Sequence, residues 1–217
     1  MAPLQGIRIL DFTELLPGPF LSQNLLEMGA TVIKIERPPH GDNARLMAPG
    51  VFQAANRGKK SIQIDLKSAQ GLEQIEQLLL TADMVLEAYR PGVMKRLGLD
   101  YASLSIRFPK LIYASLSGYG QAGARALWPG HDLNYQAASG ALALSGLPDG
   151  RPEHVFGLPV ADLCGSMYGL SAVLAALFQR TQTGKGQYLD IALADCLAHW
   201  MNPRLGSFAA QGLDSVD

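Results

Sequence analysis

A chain of 217 residues that is 48% hydrophobic and 17% charged carries enough apolar side chains for a packed core and too few charges for a disordered polymer. Its 18 basic and 19 acidic side chains leave a net charge of −1, so no global field exists to hold nucleic acid, and an anionic ligand has to be met by a local cluster. The two cysteines, Cys164 and Cys196, stand in apolar surroundings without metal-ligand spacing; they read as reduced core thiols, and no metal site is expected. The first six residues lack the basic and apolar segments of a secretory leader, so a cytoplasmic location is the expectation.

In chain order, residues 7–12 form a short apolar run and 31–36 a β-branched one, with Phe20, Leu21, Leu25, Leu26 and Met28 at helical spacing between them. Pro17 and Pro19 mark where this helix begins and Gly29 where it stops. The alternation continues with a strand at 61–66, a helix at 67–80, a strand at 84–88, short helices within 93–108 and a strand at 111–116. A Gly- and Pro-rich stretch at 117–130 precedes a helix expected over 131–144. A loop through Pro159 leads to a long helix over about 163–181, then a strand at 187–192, a helical segment from about Asp195 and a polar tail at 212–217. Strands alternating with helices predict an α/β fold: a Rossmann-like, mostly parallel sheet with flanking helices. The uncharged stretch at 163–179 falls short of the roughly 20 apolar residues of a membrane span, so it reads as a buried helix and no membrane is expected. Near the end, Leu197, Trp200, Met201, Leu205 and Phe208 have a helix-compatible spacing that would offer an apolar surface to a partner.

Chemistry is suggested at four places. The first strand-to-helix turn, residues 13–19, has no GxGxxG, so although Glu36 stands where a ribose-binding acid would lie, a dinucleotide role is disfavoured. Arg37, Arg45, Arg57, Lys59 and Lys60 all fall in one connection between strands, read as lying at the carboxyl end of the sheet; they would either hold the phosphates of a nucleotide-like group or simply solvate a loop. His131 and Asp132 open one helix and Asp162 another. There the macrodipole favours a neutral histidine and an ionised aspartate, each able to accept a proton, while either aspartate would also serve as a plain helix cap. The glycines at 118, 120 and 123 leave a strand end and would either bring backbone close to a ligand or form a mobile connection. His40, His154 and His199 show no pairing that suggests metal ligation.

Several of these segments together carry a resemblance. Residues 4–12 and 29–36, then Asn56-Arg57-Gly58-Lys59-Lys60-Ser61, Tyr89-Arg90-Pro91-Gly92-Val93, Ser117-Gly118-Tyr119-Gly120 and Gly184-Lys185-Gly186-Gln187, resemble in order the motifs of the class III CoA-transferase and alpha-methylacyl-CoA racemase superfamily. The resemblance implies the large domain of that fold, with residues 1–195 as a CoA-binding α/β domain and 196–217 as a helical segment leading toward a second, smaller domain that these residues do not include. Gly130-His131-Asp132-Leu133-Asn134-Tyr135 is similar to the racemase version, in which the histidine is a catalytic base. Asp162 matches the catalytic aspartate, an acid/base in the racemases and the acyl-accepting nucleophile in the transferases. CoA contacts are implied near Arg37 and at Arg90 and Arg96, and a racemase glutamate that supports the histidine falls beyond residue 217.

The expectation that follows is racemisation of a 2-methylacyl-CoA, with His131 and Asp162 removing and returning the α-proton on opposite faces and the 118–123 loop offering backbone donors to the enolate oxygen. CoA enters as part of the acyl-CoA thioester substrate; no prosthetic group is called for. The rivals are a CoA-transferase working through an aspartyl-acyl anhydride and a fragment that binds CoA or a partner without turnover. A homo-oligomer, or a second chain supplying the remaining domain, is expected.

Overall fold

The computed structural model describes residues 1–146, 150–154 and 157–211; the polar tail expected at 212–217 and parts of the loop before residue 159 lie outside the described residues. The strands are β1 (Arg8–Asp11), β2 (Thr31–Glu36), β3 (Lys60–Gln63), β4 (Met84–Glu87), β5 (Ile112–Ser117) and β6 (Tyr188–Ala192). Between β1 and β4 the helices are α1 (Pro17–Glu27), α2 (Ala44–Met47), α3 (Pro49–Asn56) and α4 (Ala69–Leu79), and between β4 and β5 they are α5 (Val93–Arg96) and α6 (Tyr101–Arg107). The second half carries α7 (Asp132–Ser139), α8 (Val160–Thr183), α9 (Leu193–Trp200) and α10 (Asn202–Gln211). The strands form one parallel sheet in the order β3-β2-β1-β4-β5-β6, the α/β architecture expected from the alternating pattern. The order reverses between β1 and β4, and it is outside the carboxyl ends of such a reversal that open sheets take up ligands.

Each inner strand reads as a continuous apolar run because both of its faces are covered. Successive residues point to opposite faces, so Ile9, Val32, Met84 and Ile112 meet Leu21 and Leu25 of α1 and Leu170 and Val173 of α8. Their neighbours Leu10, Ile33, Val85 and Tyr113 meet Ile75 and Leu79 of α4, with Met94 of α5 and Leu104 of α6. The second and third turns of α8 owe their close approach to two glycines: a Cβ at Gly165 would run into Leu193 of α9, and one at Gly169 into Leu21 of α1.

Several boundaries differ from the sequence reading. The long helix, expected over about 163–181, starts at Val160 and has 24 residues, because its first amides are capped from another helix. By length and composition it would suffice for a membrane crossing, but about half of its most apolar window is buried in the fold. The helix expected over 131–144 ends at Ser139, where Gly140 turns left-handed at φ 82°, and continues only as a short 3-10 turn, Leu142–Leu144. Two helices, α2 and α3, occupy what read as a plain connection, with Pro49 at the first position of α3. Leu197, in α9 (Leu193–Trp200), is 2% exposed and belongs to the core. Of the apolar stripe foreseen near the end, Trp200 and Leu205 stand exposed.

Candidate active site

The starts of α7 and α8 meet at one corner, and a single carboxylate joins them. Asp132, the first residue of α7, is 8% exposed; its Oδ1 accepts the amide protons of Ala161 at 2.7 Å and Asp162 at 3.0 Å. Those two amides belong to the first turn of α8, whose donors have no partner within the helix. Asp132 therefore takes the capping role, and Asp162 is the third residue of the helix rather than its cap. The hydroxyl of Ser166 lies 2.7 Å from both the Asp162 and the Pro17 carbonyl oxygens, able to donate to either, which fastens the start of α8 to the start of α1.

This placement reverses the electrostatic expectation for Asp162. Burial raises its carboxyl, the Asp132 charge adds to the effect, and the pKa moves from an ordinary 3.8 up to about 7. Near neutrality such a carboxyl takes up and gives back a proton with equal ease. Immediately before Asp132, His131 stands exposed in the N-cap position of α7, its backbone N–H donating to Asn134 Oδ1 at 2.9 Å, one half of a capping box. His131 and Asp162 are thus carried by two helix starts that Asp132 ties together. Tyr135 braces the corner: its hydroxyl donates to the Gly130 carbonyl at 2.7 Å, its ring meets Tyr119 edge-on at 5.2 Å, and a Cβ on Gly130 would fall 2.6 Å from that ring.

Facing this corner, the β1–α1 turn is held by buried charges. Asp11 is fully buried; its Oδ1 accepts from the Thr13 amide at 2.9 Å and the Thr13 hydroxyl at 2.5 Å, and its Oδ2 lies 3.1 Å from Lys59 Nζ. Burial alone would raise the Asp11 carboxyl, but the Lys59 and Lys34 charges and the Ser22 and Thr13 hydroxyls outweigh it and hold the pKa at about 2. Lys34 Nζ reaches Asp42 at 2.9 Å and the Thr13 carbonyl at 2.7 Å. Asp42 Oδ1 in turn accepts the Leu15 amide at 3.0 Å, and Leu15 sits at φ 67°. A left-handed leucine costs about 1–2 kcal/mol, so this bend in front of the α8 start is maintained by the network behind it.

The cation cluster divides. Lys59, with its side chain 1% exposed, also donates to the Pro19 carbonyl, Ser22 and Asn56 within 2.9 Å. It is an internal counter-ion and is not available to a phosphate, which corrects the reading from sequence. Arg57 follows α3, its carbonyl accepting from Gln23, and Lys60 opens β3 opposite Ile33; both side chains belong to exposed residues at the start of β3 rather than at its carboxyl end. Arg45 clasps Glu36 at 2.7 and 2.8 Å and lies over the Phe52 ring, and with Ser61 and the Asp42 amide also bonded to it Glu36 has no role left to play on a ribose. Arg37 follows the carboxyl end of β2, its side chain 58% exposed, donating to Asn43 at 2.5 Å and 3.5 Å from Glu14. It shares with Arg96 and Lys67 a cavity of about 560 Å³ walled by Ile35, Ile64 and Tyr89. Arg90 opens instead on a neighbouring cavity of about 300 Å³ that contains Glu87 and Tyr188.

In the 118–123 loop, the Gln121 amide donates to Asp190 at 3.0 Å and the Gly118 carbonyl accepts from Ala194, so part of its backbone is committed to holding β6 and α9. Two residues were not singled out from sequence: Asp132, weighed only as a cap of its own helix, and His154, whose Nε2 lies 3.6 Å from Asp132 Oδ2. The doublet His131-Asp132 was the available signal for the first; nothing local marks the second, which meets Asp132 only through the fold. Burial pushes the Cys164 thiol up to about 12 and that of Cys196 to about 11, in keeping with core thiols. Among the described residues no group of three or more His, Cys, Asp or Glu side chains is arranged to hold a metal ion.

Comparison with known proteins shows the family. The model of CoA-transferase family III matches residues 4–215. An acetyl-CoA:oxalate CoA-transferase from Acetobacter aceti is 39% identical over 216 residues, 97% of this chain and 56% of that protein. The human alpha-methylacyl-CoA racemase is 36% identical over 221 residues, 99% of this chain and 56% of that protein. A crystal structure of a CAIB/BAIF family protein from Brucella suis superposes with a TM-score of 0.92 at 36% identity, covering 96% of this chain and 58% of that one. The chain thus spans a little over half the length of these relatives, and it belongs to CoA-transferase family III.

Proposed function

Taking that membership as the starting point, we propose that the chain carries the acid/base centre of an enzyme that epimerises a 2-methylacyl-CoA. The observation that carries the reading is the Asp162 carboxyl, held near neutrality at the corner that also presents His131. The thioester acidifies the neighbouring α-carbon. One of the two groups removes the α-proton, charge moves onto the thioester oxygen, and the other group returns a proton to the opposite face, inverting the centre. Arg37 and Arg96, with Lys67 beside them, take the phosphates of CoA in the 560 Å³ cavity, and Arg90 lies along the way. The exposed Trp200 and Leu205 support a partner surface, a second copy or a second chain, over α9 and α10.

A second reading is favoured by the relatives named as CoA-transferases, among them a succinate–glutarate CoA-transferase from Agrobacterium fabrum that is 40% identical over 206 residues. In it Asp162 attacks the acyl carbonyl and CoA leaves as its thiolate, which then attacks the Asp162 carbonyl of the anhydride, releasing the first carboxylate and leaving an aspartyl-CoA thioester. The incoming carboxylate attacks that thioester, forming a second anhydride and freeing the thiolate, which attacks the incoming acyl carbonyl to give the new acyl-CoA and restore Asp162. Incubating one 2-methylacyl-CoA epimer in heavy water separates the two. Deuterium at the α-carbon with loss of optical purity, abolished in His131→Ala, is the expected result. CoA transfer to an added carboxylate without exchange would replace the epimerase by the transferase, and binding without either reaction would leave a CoA-binding module.

A further inference from the structure

Asp132 and Asp162 bring two carboxyl groups to the start of one helix, and both cannot be ionised there without cost. Asp132 Oδ1 accepts the two α8 amides it caps, at 2.7 and 3.0 Å, and its other oxygen accepts from the Gln136 amide at 2.5 Å. The burden of the repulsion falls on Asp162. On the far side of Asp132 from those amides stands His154, Nε2 to Oδ2 3.6 Å, its side chain 26% exposed against 11% for Asp132. That distance is an ion pair when the imidazole is protonated.

We propose that His154 is a positioning residue for the two aspartates, its imidazolium neutralising Asp132 and so holding the Asp162 carboxyl in its charged, proton-accepting form. The other titratable groups at this corner are Tyr135 of α7, whose hydroxyl burial raises to about 12, and His131 in the N-cap position of α7; the direct ionic contact to Asp132 is that of His154. The two sites then titrate as one system. A proton on His154 favours ionised Asp162, and a proton on Asp162 relieves the need for one on His154. The consequence for turnover rests on the acyl-CoA reading of Asp162; the coupling between the residues does not.

The test compares His154→Gln, which is neutral, with His154→Arg, which is permanently charged, in the full chain. The Asp162 carboxyl is followed directly by carbon-13 NMR of labelled aspartate, assigned by its absence in Asp162→Asn. The midpoint should lie at least about half a pH unit lower in the Arg variant than in the Gln variant. In Asp132→Asn, which keeps the capping oxygen but removes the charge, Asp162 should titrate lower than in the wild type. If the α-proton exchange described above is observed, the acid limb of its pH profile should move by the same amount and in the same direction. Equal Asp162 midpoints in the two His154 variants, with circular dichroism showing both folded, would overturn the proposal. Unequal midpoints without any turnover would uphold it and count only against the epimerase reading.

Discussion

Replacing Asp162 by Asn should stabilise the fold while destroying activity, and the stabilisation should depend on pH in a defined direction. The Asp162 carboxyl moves from 3.8 to about 7 on folding, roughly three units, and each unit is worth 1.36 kcal/mol. Because the folded value is the higher one, folding favours the protonated form. The contribution is favourable only below about pH 4 and is lost as the pH rises toward 7, where the ionised group is being held in a place that resists it. The ceiling is about 4 kcal/mol; water reaching a half-buried side chain reduces it to about 1–3 kcal/mol. Asn does not ionise and escapes this cost. Urea unfolding should therefore find the Asn variant close to the wild type near pH 4.5 and more stable by about 1–3 kcal/mol at pH 8, with turnover lower by at least about 100-fold. A stability difference that does not grow between those two pH values would refute the assignment of Asp162 as a carboxyl strained by burial and by Asp132.

Lys59→Met leaves Asp11 buried beside only Lys34 and should cost about 3–5 kcal/mol in chemical denaturation, an effect too large for a solvated loop residue. Arg96→Ala should weaken CoA in calorimetry by about 1.5–3 kcal/mol, whereas Arg57→Ala, at the start of β3, should leave the affinity unchanged; equal losses would place Arg57 back among the CoA contacts. Gly165→Val drives a side chain into Leu193 and should cost about 1–3 kcal/mol or more by overpacking, visible as a lowered melting temperature without any change in the cavity that contains Arg37 and Arg96.

The order of strands and helices was open to reading because periodicity is a local property. The apolar runs at 7–12, 31–36, 84–88 and 111–116 are buried on both faces, and the proline pair and glycine that bracket α1 act within a few residues of themselves. Asp162 and His131 were legible for a related reason: each follows a loop rich in Gly or Pro and opens a helix, and the ordered motifs around them resemble one family. Charge was the property that sequence misjudged. Arg37, Arg57, Lys59 and Lys60 look alike within one connection, yet Lys59 is drawn inward by Asp11, from a strand 48 positions away, while Arg37 stays exposed after the carboxyl end of β2. Asp162 was expected to be ionised by the dipole of its own helix, and it is instead held near neutrality by its burial and by Asp132, 30 residues earlier. The interaction of His154 with Asp132 is of the same kind. Local sequence determines where backbone turns and which faces are apolar, but the state of an ionisable group depends on solvent access and on every charge within a few ångströms, and only the packing of α7, α8 and the sheet decides which charges those are.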